Sequence, residues 1–487
     1  MMGMYGDMDG RKSFFKGMFA IVSVFALMYA SRGMFAAAFP LIAVAALSRK
    51  RRDFLLLFSF ILIVVFNGNS NIVKISTIPA LAIRLAFALI AFAMACRMAA
   101  GLSNRCVSPL LGVMPYIVWE SAISAFGWSP IISYLKLALF CMMFFALYGT
   151  ACSAAAADVV SAARQRSYIL SGVAFFVFGS VLLIPIPSIG MMRPDELIDA
   201  AMYGRNVVAL FKGMTNHSQA LGPMVAVFVT LTFCDMLFTV GKWRLLHVMI
   251  VVSGFILVYK TSSRTAMGSL LAGMGMSTWL FMRARGVGQR WKGKIVSVMS
   301  MIALLFACTV LCVPSVQDKV ARFILKFDTD ATLEDISFEG VTVTRQSAVD
   351  FAMYNFRKKP LTGNGFQVSE DMAYTTRRSF KEYLSAPVEK GVWVSAVLEE
   401  GGVVGFVLFA GFLLVAFLTF VSRKAYAAAS VFFTMAVENL GEFTIFSMTS
   451  TGGIVWLCIF CAAVLDAHRN KARAWNLQPW PRPGGFA

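Results

Sequence analysis

Apolar runs of membrane-spanning length recur along this chain, and short connections rich in Lys and Arg separate them. Runs such as Tyr168–Ile184 and Val403–Phe420 contain no charged residue. In lipid, a single segment satisfies its own backbone polar groups only as a helix. A membrane β-barrel would instead alternate apolar and polar residues over segments of about ten residues, and no such pattern is present. The expected fold is therefore an all-α polytopic membrane protein of about 12–14 transmembrane helices. Its 59% hydrophobic and 14% charged composition and mean hydropathy of +0.73 exclude an ordinary soluble enzyme. The first apolar run, Met18–Ala30, has no clear small-residue cleavage site and reads as a first span.

The net charge of +19 would suggest nucleic acid were it not for where the charges lie. They concentrate at Arg11/Lys12, Arg49–Arg52, Arg164/Arg166, Lys242/Arg244, Arg283–Lys294, Arg423/Lys424 and the tail from Arg469. That is the positive-inside pattern, which orients spans in a lipid bilayer and needs no nucleic-acid partner. Anchoring these connections in the cytoplasm sends Pro185–His217, Lys260–Arg264 and Val313–Trp393 to the opposite side. The chain then divides into N-terminal spans (1–200), spans with outer-face Arg and His motifs (201–312), one large periplasmic loop (313–393), C-terminal spans (394–466) and a cytoplasmic tail (467–487). Leu110–Phe126 and Ala425–Ala436 are marginal as spans, and Arg84 falls inside one. Cys458 and Cys461 form a C-x-x-C within an apolar run with no second pair nearby, which points to packing.

The large loop is not low-complexity sequence. Within Arg345–Pro360, residues Ala348, Phe351, Ala352 and Phe356 fall close to one helical face, and Pro360 ends the run. A Gly363–Phe366 turn follows.

Four polar constellations could carry chemistry. The first runs from Tyr203 to Asn206 and from Gly213 to Pro223, with Arg205 and His217; His217 either caps a helix or meets a polar ligand head group. The second, Thr261–Thr265, puts Arg264 at a helix start. The helix dipole disfavours a cation there, so either the side chain snorkels or a bound anion compensates. The third is Arg345 with the Pro360–Phe366 segment, where the arginine is either solvated or a ligand. The fourth is Pro387–Trp393 with Leu398–Gly405, carrying Glu389, Glu399 and Glu400; a partly buried carboxylate there could act as a base, or be an ordinary ion-paired charge. Gly401 and Gly405 give a small-xxx-small spacing that suits helix packing.

In this order, the stretches from about Gly204 to Gly405 resemble the O-antigen ligase and O-antigen polymerase superfamily. Phe211–Pro223 is similar to its Gly…Asn…Ala helix start, and Thr261–Ala266 to its Ser-Arg signature. Arg345 with Pro360–Phe366 is similar to its Arg…Pro-Leu-x-Gly-x-Gly segment, and Leu398–Gly405 to its Leu-x-Glu-x-Gly-x-x-Gly exit. The resemblance implies a glycosyltransferase C-like fold in the bacterial inner membrane, with its active site facing the periplasm. It implies an undecaprenyl-pyrophosphate-linked glycan donor, a glycan or lipid-linked acceptor, and neither cofactor nor metal. Arg264, Arg205 and Arg345 would hold the pyrophosphate, and His217 would position a donor or acceptor group. The ligases carry a His-Asn pair at the loop exit. Here the loop from Val313 to Trp393 has no histidine; either Glu389 replaces it as the catalytic base or the exit has another role, and weight shifts from ligase toward a polymerase or a divergent relative. The alternative reading is a transporter or flippase of a lipid-linked or anionic substrate, which would favour midspan charges and broken helices.

Overall fold

A computed structural model describes residues 2–48, 52–70, 72–73, 77–99, 101, 103–192, 210–238, 244–284, 320, 323, 338–368, 392–448 and 451–477. The described chain is helical, with two isolated β-bridges, Gly68 to Thr215 and Met191 to Phe211, and no sheet. Its helices are α1 (Met2–Ala30), α2 (Phe39–Ala46), α3 (Arg52–Phe66), α4 (Thr77–Ala99), α5 (Met114–Ser124), α6 (Pro130–Ala155) and α7 (Val159–Leu182). They continue as α8 (Ser218–Phe238), α9 (Arg244–Lys260), α10 (Arg264–Ala284), α11 (Phe338–Lys358), α12 (Trp393–Ser422), α13 (Tyr426–Glu438) and α14 (Thr451–Leu477).

Seven described helices are long and apolar enough to cross a membrane: Gly10–Ala30, Ile78–Ala99, Pro130–Ala155, Val160–Leu182, Ser218–Phe238, Trp393–Ser422 and Thr451–Ala472. The chain is a multi-pass membrane protein. Met34–Ala46, Phe54–Phe66 and Tyr426–Glu438 are shorter apolar helices. The apolar stretch Leu110–Phe126 is not one uniform helix. It opens with a 3-10 segment, Ser108–Val113, before α5, and prolines at 109 and 115 stand at the start of each piece. Met34–Leu47 likewise opens with a 3-10 turn, Met34–Ala38.

Side-chain contacts fix how the helices run past one another. Gly10 meets Ser167 and Gly17 meets Ser171, so α1 and α7 run parallel. Gly254 packs on Val225 and Val229, and His247 bonds Asp235, so α8 and α9 are antiparallel. Gly441 abuts Thr265, Ser269 bonds Glu438 and Gly273 abuts Thr434, so α10 and α13 are antiparallel. The bundle therefore has two distinct ends. One gathers Arg97, Arg105, Arg164, Arg166, Arg244, Arg283, Arg423 and Arg469, and is the basic end. There Asp158 caps α7, accepting from the Ser161 N–H at 2.8 Å, and that bond holds its carboxyl below the usual carboxylate range.

The N-terminal half of α14 is the axis of the core. Trp456 donates to the Ile445 carbonyl at 2.8 Å and meets Phe144 edge-on with ring centroids 5.1 Å apart. Cys458 and Cys461 are free thiols buried beside it, in keeping with a packing role. Arg84 lies over the Phe66 ring, 5.8 Å from its centroid, which gives this in-span cation an aromatic partner.

Candidate functional site

The end opposite the basic one brings the starts of α8 and α10 together. The segment before α8 is held by the turn after α3. Asn69 donates its amide to the carbonyls of Ile189 (2.9 Å) and Gly213 (2.7 Å), and its backbone N–H to Met214 (2.8 Å). Gly213 makes that approach at φ 50°. The chain then enters α8 through His217, whose Nδ1 accepts from the Gln219 N–H at 3.1 Å. An Nδ1 acting as acceptor leaves the proton of the neutral ring on Nε2. His217 thus caps α8, the first of the two roles open to it from sequence.

One turn into α8, Gly222 lies against the connection that precedes α10. A Cβ on Gly222 would stand 2.9 Å from the Ser263 Cβ, 3.0 Å from the Ala266 Cβ and 3.1 Å from the Thr261 Oγ1. Ser262, at φ 53°, reverses the chain between α9 and α10. The Ser263 hydroxyl accepts from the Ala266 N–H at 3.3 Å, so Ser263 is the N-cap and Arg264 the first helical residue. Arg264 stands at a helix start, as its sequence context predicts. Buried carboxylates line the neighbouring helix. Glu438 accepts from the Ser269 hydroxyl at 2.7 Å, and Glu442 follows the Gly441 that touches Thr265.

The second part of this end is a break in α12. Gly402 has φ 64° and ψ −166°, a conformation closed to other residues. The Pro360–Phe366 segment enters the gap. The Asn364 N–H donates to the Glu399 and Glu400 carbonyls at 2.9 Å, Gly365 N–H to Glu400 at 3.0 Å, and Val403 N–H to the Pro360 carbonyl at 2.9 Å. These bonds occupy the backbone groups that the interrupted helix would leave orphaned. On the far side, Trp119 Nε1 donates to the Gly401 carbonyl at 2.8 Å, and the Glu120 carboxylate lies in the groove of Gly401 and Gly405. The small-xxx-small spacing therefore does serve helix packing, and its partner is α5. Ser133 and Lys136 of α6 donate to the Phe366 and Gln367 carbonyls, each at 3.0 Å.

Above the break, α11 packs on α12. Asn355 Nδ2 donates to Glu399 Oε1 at 2.9 Å. Helix α11 begins at Phe338, seven residues before Arg345, and ends at Lys358, just before Pro360. Among its described side chains, Ala352 and Asn355 are buried. Ala352 is buried and Ala348 and Phe356 are half-buried, in keeping with the one face that the apolar pattern indicates, and Phe351 is 37% exposed at its edge.

Among the residues singled out from sequence, Arg264 and His217 thus sit at adjoining helix starts. Arg345 lies on α11, whose C-terminal end feeds the inserted segment. Arg205 and Glu389 lie outside the described residues. Glu399 and Glu400 are buried rather than solvated. Sequence reasoning passed over the buried carboxylates Glu120, Glu438 and Glu442, although Glu120 interrupts an apolar run and so carried a signal.

It also passed over an ionic network at the basic end. Asp235 accepts from Arg166 Nε at 2.9 Å, Arg469 Nη2 at 3.0 Å and His247 Nε2 at 2.9 Å. Arg469 also bonds Asp466 at 3.0 Å, and Asp466 accepts from the Ala428 N–H at 2.9 Å. The network joins α7, α8, α9, α13 and α14. Asp235 is the one charge in its apolar run, and that was its sequence signal.

No protein-family model matches the chain, and no curated protein matches it.

Proposed function

We propose that this protein is a membrane glycosyltransferase of the O-antigen ligase and polymerase type, with about 12–14 spans. It transfers or polymerises undecaprenyl-pyrophosphate-linked glycans at the periplasmic face of the bacterial inner membrane. The observation that carries this reading is the contact of Gly222 with Thr261, Ser263 and Ala266. It brings the start of α8, with His217, against the start of α10, with Arg264, and away from the basic end. Two helix N-termini and a guanidinium at one place suit an anionic leaving group.

In this mechanism Arg264, assisted by Arg205 and Arg345, holds the donor pyrophosphate. Glu389 takes the proton of the acceptor hydroxyl. The acceptor oxygen bonds to the anomeric carbon as the bond from that carbon to the phosphate oxygen breaks. Undecaprenyl pyrophosphate departs, and the configuration inverts. A fixed guanidinium fork stabilises the charge that grows on the leaving oxygen, where it speeds the chemical step most. His217, with its proton on Nε2, donates to a sugar or phosphate oxygen.

The break at Gly402 beside buried Glu399, Glu400 and Glu120 favours a second reading, a transporter or flippase of a lipid-linked or anionic substrate. Purified protein in liposomes with a lipid-linked glycan donor separates the two. New glycosidic product, lost in Arg264→Ala, is expected for the transferase. Movement of the donor between leaflets without product would sink that reading. In a deletion strain, retention of a single repeat unit on the surface would identify a polymerase, and accumulation of lipid-linked polymer a ligase.

A further inference from the structure

We infer that Asn355 and Glu399 form a latch that positions α11, and through it Arg345. This rests on the reading of Arg345 as a donor ligand. Among the side chains of α11 described from Gln346 to Lys358, Ala348, Val349, Met353 and Phe356 are only half-buried. Of the side chains described from Gln346 to Lys358, only Ala352 and Asn355 are fully buried, and Tyr354 is 58% exposed. Apolar contact is non-directional, so half-burial of this kind holds a helix to a surface without fixing its rotation.

The polar contacts are better built. Asn355 Nδ2 donates to Glu399 Oε1 at 2.9 Å, and both residues are 1% exposed or less. Asn364 closes the arrangement, its Nδ2 reaching the Asn355 carbonyl at 3.3 Å and the Glu399 carbonyl at 3.2 Å. Out of water, losing either partner of a hydrogen bond strands the other.

Geometry carries the latch to the site. Arg345 lies ten residues before Asn355 on one continuous helix, about 15 Å along its axis. A tilt of α11 at Asn355 moves the Arg345 end by a proportionate distance, and misplacement of about 1 Å is costly at a reacting centre. Glu399 acts through Asn355 and is a positioning residue.

The test is hydrogen–deuterium exchange of the α11 amides in the full chain in lipid nanodiscs, which is independent of any activity. Glu399→Leu removes the acceptor and should speed exchange across α11 about tenfold. Asn355→Ala should do the same and serves if Glu399→Leu does not fold. Glu399→Gln keeps an oxygen for Asn355 and should exchange as the wild type does. The double variant Asn355→Asp with Glu399→Gln reverses donor and acceptor and should restore protection. Wild-type protection in both Glu399→Leu and Asn355→Ala would overturn the latch. So would product formation lost in Glu399→Gln with α11 still protected, because Glu399 would then act directly on substrate. If no variant or wild type forms product, the transferase reading fails while the exchange data still decide the latch.

Discussion

Gly363 approaches Glu400 so closely that a Cβ on the glycine would overlap the Glu400 carbonyl oxygen. Gly363 also sits at φ 71°, in left-handed territory. Gly402 faces it with the same constraint, since a Cβ there would overlap the Leu361 carbonyl oxygen. The inserted segment and the broken helix thus fit only as backbone against backbone. Gly363→Ala pays for the left-handed conformation, about 1–2 kcal/mol, and for displacement of the Asn364 and Gly365 hydrogen bonds. We expect its thermal midpoint in detergent to fall by on the order of 5 °C or more. Gly275→Ala is the control, because nothing lies within 4 Å of its added Cβ. Equal stability of the two variants would mean that the segment does not occupy the break.

Asp235 should be the most sensitive charge at the basic end. Its side chain is 6% exposed and holds two arginines and His247. Asp235→Asn keeps the shape and removes the charge, taking one of the two carboxylates from Arg469. Breaking one side of a buried ionic cluster costs roughly 3 kcal/mol. The side chain of Arg166 is 25% exposed, and solvent compensates part of its loss. Urea unfolding in mixed micelles should therefore rank Asp235→Asn as far more destabilising than Arg166→Gln. The opposite ranking would mean that Arg166, not Asp235, is the centre of the network.

What could be read from sequence follows from where the physics is local. Span-length apolar runs needed only their own composition to be recognised as helices, and Lys and Arg in short connections marked one end of the bundle. Ser263 and Arg264 at the start of α10 were legible for the same reason, because a helix start is a local event. Contacts between distant segments were not. Nothing in Pro360–Phe366 by itself says that it enters a break in α12, and nothing in Leu398–Gly405 says that Gly402 leaves the helix. Those features appear only when Gly363 and Gly402 meet. Phe351 shows the limit of periodicity: Ala352 of the same apolar face is buried and Ala348 and Phe356 are half-buried, while Phe351 stays 37% exposed.

The cap at His217 and its role in the proposed chemistry can be separated. Asparagine caps a helix well, whereas alanine does not, and the difference is about 1 kcal/mol. His217→Asn should keep the wild-type thermal midpoint, and His217→Ala should lower it slightly. If His217 only caps, product formation in liposomes will follow stability, and His217→Asn will be active. The proposed contact from Nε2 predicts instead that both variants lose about tenfold or more in activity, a loss of the size seen when one positioned donor is removed.

Arg264 carries the sharpest expectation. Its place as first residue of α10 sets a cation against the positive end of the helix dipole. Arg264→Ala should lower product formation by about a thousandfold, far beyond any loss of folded protein read from its thermal midpoint. Arg264→Lys keeps the charge but loses the planar fork that grips two phosphate oxygens at once, and should recover only part of the rate. Turnover then falls far more than stability in one variant, the pattern expected of a residue retained for its ligand. If Arg264→Ala destabilises the protein and its activity loss merely tracks the unfolded fraction, Arg264 is a structural residue and the pyrophosphate site lies elsewhere.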